Sequence, residues 1–176
     1  MRMSPFANIS PVRSVTLLAT LLILLCGCGS PAPIAGPADN LLVGDADLSG
    51  IGTVDPPSEL NSMFGAANAA EVVVHPGADA DVYVSVFVYS TTSDAQSGYE
   101  QLKSVDTGLG FAEAGSTQSQ PALGDESFTG FSPDNRIAML WRTANVVVTV
   151  GGVYQHVDEV FVIASEQSDK INKAKT

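Results

Sequence analysis

An α+β fold, a single domain with an antiparallel sheet (a meander in its C-terminal half) covered mainly on one face by helices, is predicted by three features of the 176-residue sequence. The run DVYVSVFVYS, from Asp81, alternates valines with other residues at a period of two, as a strand does. Three more strand-like segments, ESFTGF, RIAMLWR and VVVTVGG, come close behind one another with short turns between them, the arrangement of a meander. Helical periodicity stands on either side of these three, and strands grouped between helices belong to segregated layers, not to alternating βαβ units.

The first residues form a targeting segment. Arg2 and Arg13 supply positive charge, and VTLLATLLILL is an apolar run of eleven residues, too short for a spanning helix of about 20 residues. Residues 1–27 are therefore expected to be a signal peptide. Leu25, Cys26, Gly27 and Cys28 resemble the bacterial lipobox, in which small residues precede a cysteine that is acylated and becomes the new N-terminus. The resemblance implies lipid attachment at Cys28 and a place on the extracytoplasmic face of a cell membrane, since two or three acyl chains anchor stably where one does not. Cys26 and Cys28 are the only cysteines, so no disulfide framework is available.

Residues 28–40 contain SPAPIAGPADN, whose prolines and glycine give an extended tether, and residues 41–176 have the length of one domain. Loss of Arg2 and Arg13 with the signal leaves six Lys/Arg against nineteen Asp/Glu, a formal charge of −13. Such a surface repels phosphate, which excludes nucleic acid as a partner and leaves membrane attachment to the lipid.

Within the domain, GDADLSGIGTVD places Asp45, Asp47, Ser49 and Gly50 like the start of an EF-hand loop. The twelfth position counted from Asp45 is Pro56, which cannot supply the closing carboxylate, so the stretch reads as a polar lead-in. A short helix is expected near Ser58 to Phe64 behind Pro56 and Pro57, then the central strand. Ser93 with Gln96 predicts a capping box and a helix over 94–105, with Ala95, Tyr99 and Leu102 on one face and Gly98 weakening it by about 1 kcal/mol. Leu109 to Ala114 reads as a strand. In the turn SPDN, Pro133 takes the second position and Asn135 the last. Ile137, Met139 and Trp141 face one way, and Ala138, Leu140 and Arg142 the other. At the C-terminal end, Val160, Ala164 and Ile171 share a helical face, with Asp158 and Glu159 in the first turn and Lys170 and Lys173 in the last, matching the helix dipole.

Chemistry is sparse. His75 and His156 stand outside any HExxH frame, no GxSxG or GxGxxG occurs, and HPGADAD (His75 to Asp81) reads as a solvated loop. Asp125 and Glu126 are adjacent, and adjacent strand residues point to opposite faces, so the two carboxyls are not expected to act on one bond. No catalytic, cofactor-binding or metal residue is assigned, and no cofactor is expected.

GDESF together with RTANVVVTV resembles a pattern in secreted and lipid-anchored domains of actinobacterial type, among them lipoproteins of unknown activity and extracellular sensor domains of some receptor kinases; DADLSGIGTV resembles their usual lead-in. Those sensors often carry disulfides, and this body has no cysteine. The resemblance implies an envelope binding or sensing module whose partner is an envelope protein or a small amphiphilic ligand. A pocket between sheet and helix is the natural site, with Trp141, Tyr89 or Tyr99 as candidate walls. A hydrolase with a non-motif active site, or a purely structural surface protein, are the alternatives; His156 joined to an acid and a serine in a cleft would favour the first.

Overall fold

Valines 82, 84, 86 and 88 form the middle of an eight-stranded antiparallel sheet. The computed structural model describes residues 32–61, 63–77, 79–115 and 120–175. The signal peptide and Cys28 lie outside the described residues. In chain order the elements are β1 (Thr53–Val54), β2 (Ser58–Leu60), β3 (Asn68–Gly77), β4 (Ala80–Val88), α1 (Thr92–Gly108), β5 (Ala112–Glu113), β6 (Glu126–Phe131), β7 (Arg136–Thr143), β8 (Val146–Val153) and α2 (Val157–Lys173). Across the sheet the order is β1, β3, β4, β8, β7, β6, β5, with β2 placed after β1 along the same outer edge of β3. Two meanders therefore meet at the centre, where Ser85 stands opposite Thr149 and Tyr83 opposite Gly151.

The α+β class, the antiparallel sheet and the C-terminal meander match the expectation. The distribution of helices does not. Even-numbered residues of β4 pack with Met139, Trp141, Val148 and the α2 residues Val160, Ile163, Ala164 and Ile171. Odd-numbered Phe87 and Tyr89 pack with Leu140, Val147 and the α1 residues Ala95, Tyr99 and Leu102. One helix thus covers each face, because the even-numbered valines of β4 on one side and Phe87 with Tyr89 on the other are both apolar and need cover.

Three local expectations are also corrected. Ser58–Leu60 is a strand on the edge of β3, not the start of a helix; Pro56 and Pro57 have no N–H to donate and interrupt that edge between β1 and β2. The α1 cap sits two residues earlier than Ser93: Thr91 Oγ1 accepts from the Asp94 amide and donates to its carboxylate, at 3.0 and 2.8 Å. The strand foreseen over 109–114 is reduced to Ala112–Glu113.

Among the described residues, part of the stretch expected to be tether is packed into the fold. Ile34 and Ala38 are buried, and three amide side chains bind the neighbouring backbone. Asn145 pairs with Ile34, Asn68 Oδ1 accepts from the Ala38 amide at 2.7 Å, and the fully buried Gln167 donates to Leu41 O and accepts from Val43 N. Within this stretch Ala38–Leu41 forms a 3-10 turn, and backbone strapped by side-chain amides is part of the fold. The lead-in loop is used in the same way: Asp47 accepts from the Gly44 amide and from Lys170 Nζ, and Asp45 accepts from the Val54 amide.

Candidate functional site

α1 crosses β6, β7 and β8 and leaves the lower part of its sheet face uncovered, opening a cleft of about 630 Å³. The floor is made of small residues: Ser85 on β4, Thr149 and Gly151 on β8, and Ala138 on β7. All sit on the α1 side of the sheet, since β4 and β8 keep register there and alternate faces residue by residue. Gly151 leaves real space, because a Cβ added there meets only Ile137 O, at 3.9 Å. One wall is formed by the C-terminal half of α1 and the segment joining it to β5, through Leu102, Asp106, Leu109 and Phe111. Gly130 makes room for Phe111, since a Cβ there would press on it at 2.8 Å.

Five charged groups line the cleft: Glu71, Asp79, Asp81, Asp106 and Arg136. Glu71 Oε2 accepts from Ser85 Oγ at 2.7 Å. Asp81 is 2.8 Å from His75 Nδ1, while His75 Nε2 is 3.2 Å from Asp55. Hydrogen bonds that the ring donates to the carboxylates of Asp55 and then Asp81 raise the His75 pKa above its ordinary value. Arg136 binds Asp134 through Nε at 2.8 Å and lies 5.3 Å from the centre of the Phe111 ring, so its charge is already engaged. Asp106 sits in the last turn of α1, and burial pushes its carboxyl above the usual carboxylate range.

The candidate walls suggested by aromatic content are elsewhere: Trp141, Tyr89 and Tyr99 are almost wholly buried in the two cores. The pocket between sheet and helix is present, but other residues line it. Its signal in the sequence is the pair of small polar interruptions in otherwise apolar strands, Ser85 in VYVSVFV and Thr149 in VVVTVGG, which become opposite neighbours only once the pairing is known.

His75 is brought together with two acids, and His156 lies 3.9 Å from Glu159. Among the described residues neither histidine is hydrogen-bonded to a serine, and no group of acids, histidines and cysteines is arranged to hold a metal ion. Asp125 and Glu126 do converge, contrary to expectation: both bind Arg142, Glu126 at Nε and Asp125 at Nη1, 3.5 Å away. Asp125 precedes the strand, so strand alternation does not govern its side chain.

The fold and site together define a twisted-sheet domain with a ligand-sized, mixed-polarity cleft beside one helix. No protein-family model matches the chain, and no curated protein matches it. Among solved structures it is similar to the extracellular domain of PknH from Mycobacterium tuberculosis, with a TM-score of 0.57 and 14% identity over 81% of this chain and 99% of that one. That similarity establishes a shared fold. A second structure, LpqN of Mycobacterium tuberculosis, described as involved in cell envelope biogenesis, aligns with a TM-score of 0.29 and 15% identity over 66% of this chain and 80% of that one, too loosely to carry an argument. Among the described residues no helix is long and apolar enough to cross a membrane.

Proposed function

We propose that this chain is a lipid-anchored envelope lipoprotein whose domain is a non-enzymatic binding or sensing module, its ligand held in the cleft between α1 and the sheet. The observation that carries the reading is the cleft itself, about 630 Å³ of concave space with an apolar wall and a few polar groups, the usual form of a small-molecule site. The fold shared with an extracellular domain supports an extracytoplasmic place, and the lipobox supports Cys28 as the anchor.

Among the described residues Ile34 is the first that is buried, and it follows Cys28 by six positions in the sequence. Ile34 is bound beside Tyr89, at the end of β4 opposite Tyr83 and the cleft.

Two measurements test this reading. Mass spectrometry of the native N-terminal peptide should find acylated Cys28, and bare sulfur there would remove the anchor. Screening envelope lipids and sugars against the protein should shift its thermal midpoint for at least one of them, whereas a flat response across the panel would favour a purely structural role.

A further inference from the structure

We propose that the cleft selects a small amphiphile carrying one positive charge, its apolar body against Leu109, Phe111 and Tyr83 and its ammonium group toward Asp106 and Glu71. The inference rests on the cleft being a binding site and adds the chemical class of what enters. Three independent observations carry it.

The first is where apolar surface is left in water. Of seven large apolar side chains left exposed among the described residues, three line this cleft: Leu109 at 60%, Tyr83 at 48% and Val153 at 38% exposure. Concentrated exposure of this kind marks a surface that is covered in use.

The second is charge. Four carboxylates line the cleft against one guanidinium, and Arg136 is committed to Asp134 and to the face of Phe111. Asp81 is taken by His75. Glu71 has a hydroxyl partner and no cation, and Asp106 has neither among the described residues. Asp106 also stands in the last turn of α1, which contains no basic residue, so its carboxylate meets the negative end of the helix dipole. A half-buried, unpaired carboxylate in that position is held at a cost to the fold, and an arriving ammonium relieves it. An anionic amphiphile meets the opposite situation and is repelled.

The third is space of the right shape. Gly151 and Ala138 leave the floor low beneath the apolar wall, and Gly151 has room above it for atoms the protein does not itself supply.

The test uses the full chain in nanodiscs of neutral phospholipid and three water-soluble probes with the same tail, hexyltrimethylammonium, hexanol and hexanoate, with methyl and amide chemical shifts as the readout. Hexyltrimethylammonium should perturb Leu109, Val153 and the amides of 149–151, with a Kd at least tenfold below that of hexanol, and hexanoate should be weakest. Asp106→Asn should bring the cation and alcohol within threefold of each other, and Glu71→Gln should move them in the same direction. Gly151→Val should abolish all three, its folding verified by an unchanged dispersion of the remaining amides. Hexanol or hexanoate binding the cleft as tightly as the cation, or a preference untouched by both acid variants, overturns the charge selection while leaving a binding cleft. No probe perturbing the cleft overturns the selection and removes support from the binding reading as well.

Discussion

Asn145 and Ile34, 111 residues apart, are joined like two residues of a sheet: the Ile34 amide donates to Asn145 Oδ1 at 2.6 Å, and Asn145 Nδ2 donates to Ile34 O at 3.2 Å. The same Nδ2 donates to Tyr89 O at 2.8 Å, while the Tyr89 amide donates to Asn145 O. One buried amide in the β7–β8 turn therefore fixes both the point where the chain enters the fold and the end of the central strand. This explains why a turn residue is 2% exposed.

Asn145→Ala should destabilise the domain by about 2–4 kcal/mol, because it removes three hydrogen bonds and leaves buried backbone groups of Ile34 and Tyr89 unpaired. Urea unfolding measures this directly. Hydrogen exchange should show protection lost first at Ile34, and a variant that loses stability without exposing Ile34 would contradict the assigned role.

Gly98 is a packing requirement in spite of its cost to helix propensity. A Cβ at that position would run into the hydroxyl and ring of Tyr89. Gly98→Ala, which in an open helix stabilises by ~1 kcal/mol, should here destabilise by about 1–3 kcal/mol in thermal melts. Larger loss is expected from Gly98→Val, and a gain in either would show that Tyr89 moves aside freely.

Arg142 and Glu126 form the second cross-strand relationship of note, since they are directly paired between β6 and β7 and also bonded through their side chains. Arg142 further donates to Ala144 O at 3.1 Å. With Arg142 only 13% exposed, Arg142→Gln should cost about 2 kcal/mol by removing charged hydrogen bonds, and Arg142→Lys should recover little because one ammonium cannot span both carboxylates. A double-mutant cycle with Glu126→Gln measures the coupling, and a value near zero would show the pair to be ornamental.

The fold class, β4, the C-terminal meander and α2 were legible in the sequence, for a physical reason: period-two alternation and the apolar stripe of Val160, Ala164 and Ile171 are local patterns that tertiary contacts only reinforce. What was not legible depends on partners distant in the chain. Ser58–Leu60 is a strand because β3 offers it an edge, and Ile34 is buried because Asn145 and the α2 face receive it. The cleft belongs to the same group. Asp106 reads as one more surface acid on a helix, and its isolation appears only when Arg136 is found bound to Asp134 and Phe111.

Tyr89 and Tyr99 predict the alkaline limit of stability. Burial raises the Tyr89 phenol to about 12, and burial, with the charge of Glu126 next in weight, raises Tyr99 to about 12, from the ordinary 10.0. A folded-state pKa above the unfolded one means that the folded chain holds protons the unfolded chain has released. The associated stability is therefore complete below pH 10 and is lost as pH rises toward 12. Absorbance titration should show two of the four tyrosines ionising late and together with unfolding. Tyr89→Phe also deletes a buried hydroxyl that has no hydrogen-bond partner among the described residues, so it should match or exceed wild-type stability at pH 7 and soften the alkaline transition.

His75 gives the corresponding prediction near neutrality. Its two ring nitrogens face Asp55, in the link between β1 and β2, and Asp81, at the start of β4, so the protonated ring joins the outer edge of the sheet to the β3–β4 hairpin. Hydrogen bonds to Asp55 and then to Asp81 raise its pKa above 6.5 against the opposing effect of desolvation. Because the folded-state pKa is the higher one, the stabilisation is fully present below pH 6.5 and is lost as pH rises through the folded midpoint. Proton NMR of the two histidines should place the His75 midpoint above the ordinary value, and Asp55→Asn and Asp81→Asn should each lower it, Asp55→Asn the more. The thermal midpoint of the wild type should fall across the same interval, and His75→Gln should flatten that segment of the profile. An unshifted His75 resonance, or a pH profile unchanged in His75→Gln, would mean that the two carboxylates are solvated separately and that the edge link is held by the backbone bonds of β1 and β2 alone.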